Sequence, residues 1–229
     1  MWFRRRKKVE ENVQSSLQDM IDFTLLDPRA VNKDIQTLVN IAIRNQYYAI
    51  CVNPINVLDA KSFVLNSTRK DIKVVSVVGF PLGANTVQTK VAEAKQALSD
   101  GADELDVVIN IARVKENDYG YIKNELSRIV RIARGKIVKA IIETCYLTRE
   151  EIKEVCKVCL KAKVDFIKTS SGYGTGGATV DDVLLIKEIV KDKCHIKASG
   201  GIKTKAQAEE LIRAGAQRIG TSRILEWLN

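Results

Sequence analysis

Asp165-Phe166-Ile167-Lys168-Thr169-Ser170 and His195-Ile196-Lys197-Ala198-Ser199 are two short apolar runs, each with a lysine near its centre and each leading into a glycine-rich stretch. Runs of this length and composition read as buried strands. A lysine is almost never fully buried without a partner, because removing an ammonium from water is costly. Two lysines midway along consecutive buried strands therefore call for a chemical reason. Neighbouring strands lie about 4.8 Å apart. At that spacing each cation disfavours the other, so at least one amine is expected to have a lowered pKa. A deprotonated lysine is a nucleophile able to form a Schiff base with a carbonyl.

Outward from these two runs the chain repeats one pattern. Further apolar runs lie at Met20–Leu26, Tyr48–Val52, Lys73–Phe80, Glu104–Asn110, Ile137–Glu143 and Arg218–Thr221. Between them lie stretches with apolar residues three and four apart, such as Ile35-Leu38-Val39-Ala42-Ile43, Val91-Ala94-Lys95-Leu98 and Val183-Leu184-Ile186-Ile189-Val190. Thr148 before Glu150 and Glu151, and Thr179 before Asp181 and Asp182, are helix start signals. Strands alternating with helices imply a parallel sheet. Eight such units in 229 residues imply a single α/β domain, a closed (β/α)8 TIM barrel spanning residues 1–229. Residues 1–18 are expected to add a short basic helical extension packed on the barrel.

Alternation along each strand then sorts the side chains. Glu104, Asp106, Val108 and Asn110 share one face of the fourth strand. Lys139, Ile141 and Glu143 share one in the fifth, Phe166, Lys168 and Ser170 in the sixth, and His195, Lys197 and Ser199 in the seventh. Three lysines and an aspartate are expected to meet inside the barrel, near the end where barrel active sites lie. Glycines follow the last strands, in Ser199-Gly200-Gly201-Ile202 and Gly220-Thr221-Ser222-Arg223. Their backbone N–H groups suit a phosphate. Gly172-Tyr173-Gly174-Thr175-Gly176-Gly177 fits G-x-G-x-x-G, but the next strand carries Lys197 where a dinucleotide site needs an acid. An anion-cradling loop is the better reading.

Composition closes off other classes. Lys plus Arg number 37 against 28 acids, a net charge of +9 that suits anionic small substrates as well as nucleic acid. Aromatics are sparse at 6% and do not interleave with the basic residues, so no nucleic-acid partner is expected. No apolar run reaches the length of a membrane span, and the amino terminus lacks a signal-peptide pattern, so a cytoplasmic protein with no membrane partner is expected. The Cys156-Lys157-Val158-Cys159 motif falls in a helical pattern. The only histidine is His195, so no metal site and no cofactor are expected.

Asp22-Phe23-Thr24-Leu25-Leu26, Ala49-Ile50-Cys51-Val52-Asn53-Pro54 and Val78-Gly79-Phe80-Pro81-Leu82-Gly83 resemble the deoxyribose-phosphate aldolase family. Glu104-Leu105-Asp106-Val107-Val108-Ile109-Asn110, Ile142-Glu143-Thr144-Cys145-Tyr146-Leu147-Thr148 and the two lysine runs extend the likeness from about Asp22 to Ser222. The resemblance implies a class I, metal-free lyase. It would join acetaldehyde reversibly to D-glyceraldehyde 3-phosphate, giving 2-deoxy-D-ribose 5-phosphate, in deoxyribonucleoside catabolism. It further implies that Lys168 is the Schiff-base lysine, Lys197 the cation that perturbs it, and Asp106 the proton-transfer acid. Asp22, Cys51, Lys139 and Thr169 would line the substrate site, and Gly172, Gly200, Gly201, Gly220 and Ser222 the phosphate loops. A homo-oligomer, dimer or tetramer, is expected by the same resemblance. The sequence departs from the family pattern at Phe23, Ser171, Ala112 and Arg223. It ends at Asn229, so a tail long enough to reach the site is not expected.

Overall fold

The computed structural model describes residues 17–223. All eight expected strands form: β1 (Ile21–Leu25), β2 (Ala49–Val52), β3 (Lys73–Val78), β4 (Glu104–Val108), β5 (Ile137–Ile141), β6 (Phe166–Lys168), β7 (His195–Ser199) and β8 (Arg218–Thr221). They pair in parallel in sequence order, and β8 closes back onto β1, so the sheet has no edge. Helices fill the connections: α1 (Asn32–Arg44), α2 (Val57–Leu65), α3 (Val87–Ser99), α4 (Ile111–Lys115), α5 (Tyr119–Ala133), α6 (Arg149–Ala162), α7 (Val180–Val190) and α8 (Lys205–Arg213). The chain is a (β/α)8 TIM barrel. The basic helical segment expected over residues 1–18 lies, except for its last two residues, outside the described residues.

Strands β2 (Ala-Ile-Cys-Val) and β4 (Glu-Leu-Asp-Val-Val) are buried along their whole length, and apart from the two inward acids of β4 they are wholly apolar. Their outward side chains meet the helices. Leu105, Val107 and Ile109 share one core with Ile122, Leu126 and Ile129 of α5. A smaller apolar cluster, Ala49, Cys51, Val75 and Val77 with Leu26, belongs to the β1–β3 side. The helix starts fall where the threonines indicate. Thr148 accepts a hydrogen bond from the Glu151 N–H in a capping box, and Thr179 accepts one from the Asp182 N–H.

Three details differ from the sequence reading. Asn110 leaves the expected β4 face because its side chain caps α4, accepting from the Arg113 N–H. Leu184 is half exposed, and the buried face of α7 is Val183, Leu185, Ile186 and Val190. On α3 the buried lysine is Lys90, while Lys95 is exposed. Lys90 goes inside because partners await it there. Its Nζ donates to Glu125 Oε1 and to the Val108 carbonyl, each at 2.7 Å.

Both members of this pair are fully buried. Burial lowers the Lys90 pKa and raises that of Glu125, and each charge opposes that shift in the other. Removing one partner would strand a buried charge. Lys90→Met should lower unfolding free energy by about 3–5 kcal/mol. Lys90→Met/Glu125→Leu should recover most of that loss, as measured by urea denaturation.

Candidate active site

The strand register brings the interior lysines together. Lys168 is the β-ladder partner of Ile141 on one side and of Lys197 on the other, and Asp106 is the partner of Lys139. Asp106 is the common acceptor. Its Oδ2 receives hydrogen bonds from both Lys168 Nζ and Lys197 Nζ, each at 2.8 Å, and its Oδ1 receives one from Lys139 Nζ at 2.9 Å. Lys197 also donates to Asp22 Oδ2, while Arg218 donates to Asp22 Oδ1 at 2.9 Å. Glu104 completes the cluster, 2.5 Å from Lys139. Asp22, Asp106, Lys139 and Lys197 are wholly buried, and Lys168 is 3% exposed.

Burial alone would raise the two aspartates. For Asp106 the attraction of Lys139, Lys168 and Lys197 outweighs it and holds the carboxyl well below its ordinary 3.8. For Asp22, Lys197, Lys139 and Arg218 do the same. Burial would lower Lys139 and Lys197, but the carboxylates win and both amines are raised, so both are fixed cations. Cys51 lies in the same interior, its thiol pushed up to about 11 mainly by burial, and is an un-ionised wall.

Above the cluster opens a cavity of about 780 Å³ at the carboxyl end of the strands. Lys168 is the only lysine of the cluster that lines it, together with Gly172, Gly200, Gly201, Gly220 and Ser222. Gly200 and Gly201 have φ of +85° and +73°, a region that favours glycine. A Cβ on Gly177 would sit 2.2 Å from the Gly200 carbonyl oxygen, so the loops after β6 and β7 touch backbone to backbone. Thr169 is placed apart from the cavity. Its hydroxyl donates to the Ser199 carbonyl at 3.2 Å and ties β6 to β7.

Several residues of the site escaped the sequence reading. Arg218 looks like an ordinary polar strand start, yet its guanidinium stacks 3.5 Å from the centre of the Tyr48 ring beneath the cluster. Tyr173 lines the cavity and donates its hydroxyl to the Leu26 carbonyl at 3.0 Å, across the mouth. Glu143 leaves the expected β5 face, and its carboxylate accepts from the Ser171 N–H. Among the described residues no group of His, Cys, Asp and Glu is arranged to hold a metal ion, and no helix is long and apolar enough to cross a membrane. Cys156 and Cys159 are buried on the inner face of α6, where burial raises both thiols.

Residues 14–222 match the family model described as DeoC/LacD family aldolase. The chain belongs to that family. The aldolase is 53% identical over 204 residues to a deoxyribose-phosphate aldolase of Thermococcus kodakarensis, covering 88% of this chain and 91% of that protein. It is 46% identical over 212 residues to one from Caldicellulosiruptor saccharolyticus, covering 91% and 95%. Among solved structures it resembles a tetrameric deoxyribose phosphate aldolase from Aeropyrum pernix, with a TM-score of 0.86 and 32% identity over 93% of this chain and 89% of that one. It is thus an enzyme, a carbon–carbon lyase.

The depressed aspartates set a pH dependence. Groups whose folded pKa lies below the unfolded value add stability that is present above the unfolded pKa and lost as pH falls through the folded one. For Asp22 and Asp106 that window opens near their ordinary 3.8 and extends downward. The melting temperature of the aldolase should fall steeply from about pH 5 to about pH 2. The fall should be shallower in Asp22→Asn, measured by scanning calorimetry; equal slopes would remove Asp22 from this account.

Proposed function

We propose that this enzyme reversibly cleaves 2-deoxy-D-ribose 5-phosphate to D-glyceraldehyde 3-phosphate and acetaldehyde, and that Lys168 forms the Schiff base. The observation that carries the reading is the single oxygen, Asp106 Oδ2, on which Lys168 and Lys197 converge. Lys139, Lys168, Lys197 and Arg218 bring four positive charges to a buried cluster with three carboxylates, Asp22, Glu104 and Asp106. A surplus charge is expensive to keep out of water. The amine that a substrate carbonyl can reach is the one that faces the cavity and has one carboxylate partner. That amine is Lys168.

The free amine adds to the aldehyde carbon of the open-chain sugar, and loss of water leaves an iminium. Asp106, in contact with the nitrogen, accepts and returns the protons of addition and dehydration. Asp106, directly or through water, then takes the proton of the C3 hydroxyl as the C2–C3 bond breaks. The electron pair passes into the iminium, forming an enamine, and glyceraldehyde 3-phosphate departs. Protonation of the enamine and addition of water release acetaldehyde and restore the amine. Lys197 and Lys139, held as cations by Asp22, Asp106 and Glu104, keep the Asp106 carboxylate ionised and fixed in place.

The backbone at Gly172, Gly200, Gly201 and Gly220, with Ser222, supports a phosphate subsite at the far end of the cavity. The names of the relatives support the same substrate. We further infer a homo-oligomer of two or four copies, supported by the tetrameric relative from Aeropyrum pernix, and a cytoplasmic enzyme acting in deoxyribonucleoside breakdown.

Acetaldehyde followed by borohydride should add one ethyl group to the protein, mapped by digestion to Lys168. Lys168→Ala should lose both the adduct and turnover while melting cooperatively; substantial residual cleavage by that variant refutes the assignment. Lys197→Leu removes the cation that shares Asp106 Oδ2 with Lys168. The acidic limb of its pH–rate profile should move to higher pH. An unchanged limb would exclude Lys197 as the perturbing charge.

A further inference from the structure

Six non-glycine residues among the described ones have positive φ. Arg134, Lys163 and Lys191 end α5, α6 and α7, and Gln46 and Asn117 follow α1 and α4; all five are exposed. Each is explained by helix termination. Glu143 is the exception. It stands just beyond a strand, β5, with φ of 53° and ψ of 66°, and is only 2% exposed. A buried glutamate in the left-handed region is held there at an energetic cost, and such outliers gather at functional sites.

The hydrogen bonds on either side explain what the distortion does. The Ile142 N–H donates to the Lys168 carbonyl at 3.0 Å, and the Thr144 N–H donates to the Thr169 carbonyl at 2.9 Å. Two residues of the β5 strand line thus advance against one of β6. This is a bulge, and it re-aims the bulged side chain. The Glu143 carboxylate turns to the Ser171 N–H, accepting at 3.2 and 3.1 Å through its two oxygens. The loop after β6 rests directly on it. A Cβ on Gly174 would lie 2.8 Å from Cys145 Sγ and 3.1 Å from Glu143 Cδ.

We propose that Glu143 is a positioning residue that fixes the Ser171–Gly172 turn for the phosphate end of the substrate, through its role as hydrogen-bond acceptor. This rests on the function proposed above. Gly172 lines the cavity three residues after Thr169, whose carbonyl accepts from the Thr144 N–H, so the Glu143 carboxylate braces the segment joining the reactive lysine to the phosphate loop. Acetaldehyde carries no phosphate and does not need that loop. The two halves of the reaction therefore separate the roles.

The test compares Glu143→Ala, Glu143→Gln and Gly174→Ala in three assays. Glu143→Ala should raise KM for 2-deoxyribose 5-phosphate at least about tenfold, the size of an abandoned buried hydrogen bond. It should weaken competitive inhibition by inorganic phosphate to a similar degree. Borohydride trapping of acetaldehyde at Lys168 should keep nearly its normal rate. Glu143→Gln retains an acceptor and should restore most of the loss. Gly174→Ala pushes the loop off its seat with Glu143 intact, and gives the KM and phosphate effects even if Glu143→Ala does not fold. Unchanged KM and phosphate inhibition in both Glu143→Ala and Gly174→Ala would overturn the proposal, as would trapping impaired as much as KM. Glu143→Gln no better than Glu143→Ala would also overturn it, by assigning the charge rather than the acceptor. Trapping that fails in the unaltered protein would remove the Schiff-base reading and this inference together, whereas trapping without any phosphate effect removes this one alone.

Discussion

One carboxylate oxygen inside a closed ring of strands organises this molecule. Asp106 Oδ2 receives Lys168 and Lys197 from two adjacent strands, while its other oxygen takes Lys139 from β5, the strand paired with its own. Each lysine alone would be an intolerable passenger in a buried interior. Held on shared acceptors they become a rigid charge lattice, with Asp22, Glu104 and Arg218 completing it. The ring makes this possible because β8 pairs with β7 on one side and β1 on the other, so closure brings β1 round to the interior that the lysines share. Lys197 and Asp22 meet although 175 residues separate them.

What could be read in advance follows from the range of the interactions involved. The eight strands and the common face of Asp106, Lys139, Lys168 and Lys197 are encoded locally, by apolar runs and by alternation along each run. The threonine caps of α6 and α7 are equally local, since donor and acceptor lie three residues apart. The Lys90–Glu125 pair is not, because its members sit on different helices: each lies on a buried stripe of its helix, but nothing local shows that the two charges meet. The α3 stripe takes in Lys95 as easily as Lys90. Only the position of Glu125 and the Val108 carbonyl decides between them.

Glu143 and Arg218 illustrate two other limits. Alternation extrapolated past the end of β5 puts Glu143 among the lysines, but a bulge breaks the period of two and turns the side chain aside. No residue type at that position announces a left-handed backbone. Arg218, at the first position of β8, reads as a solvated charge until closure of the barrel sets it over Tyr48 and against Asp22. Both belong to the machinery around the site, and both depend on tertiary geometry more than on propensity.

The backbone contact between Gly177 and Gly200 divides the cavity into parts with unequal freedom to evolve. Where these two main chains touch, a side chain at Gly177 does not fit, so that stretch behind the anion-facing wall is closed to diversification by substitution. Thr24, Tyr173 and Arg223 border the same space and carry side chains that can vary. Divergence in the choice of aldehyde, in nature or in the laboratory, is therefore channelled to that rim, leaving bond-making and bond-breaking to an interior that stays the same.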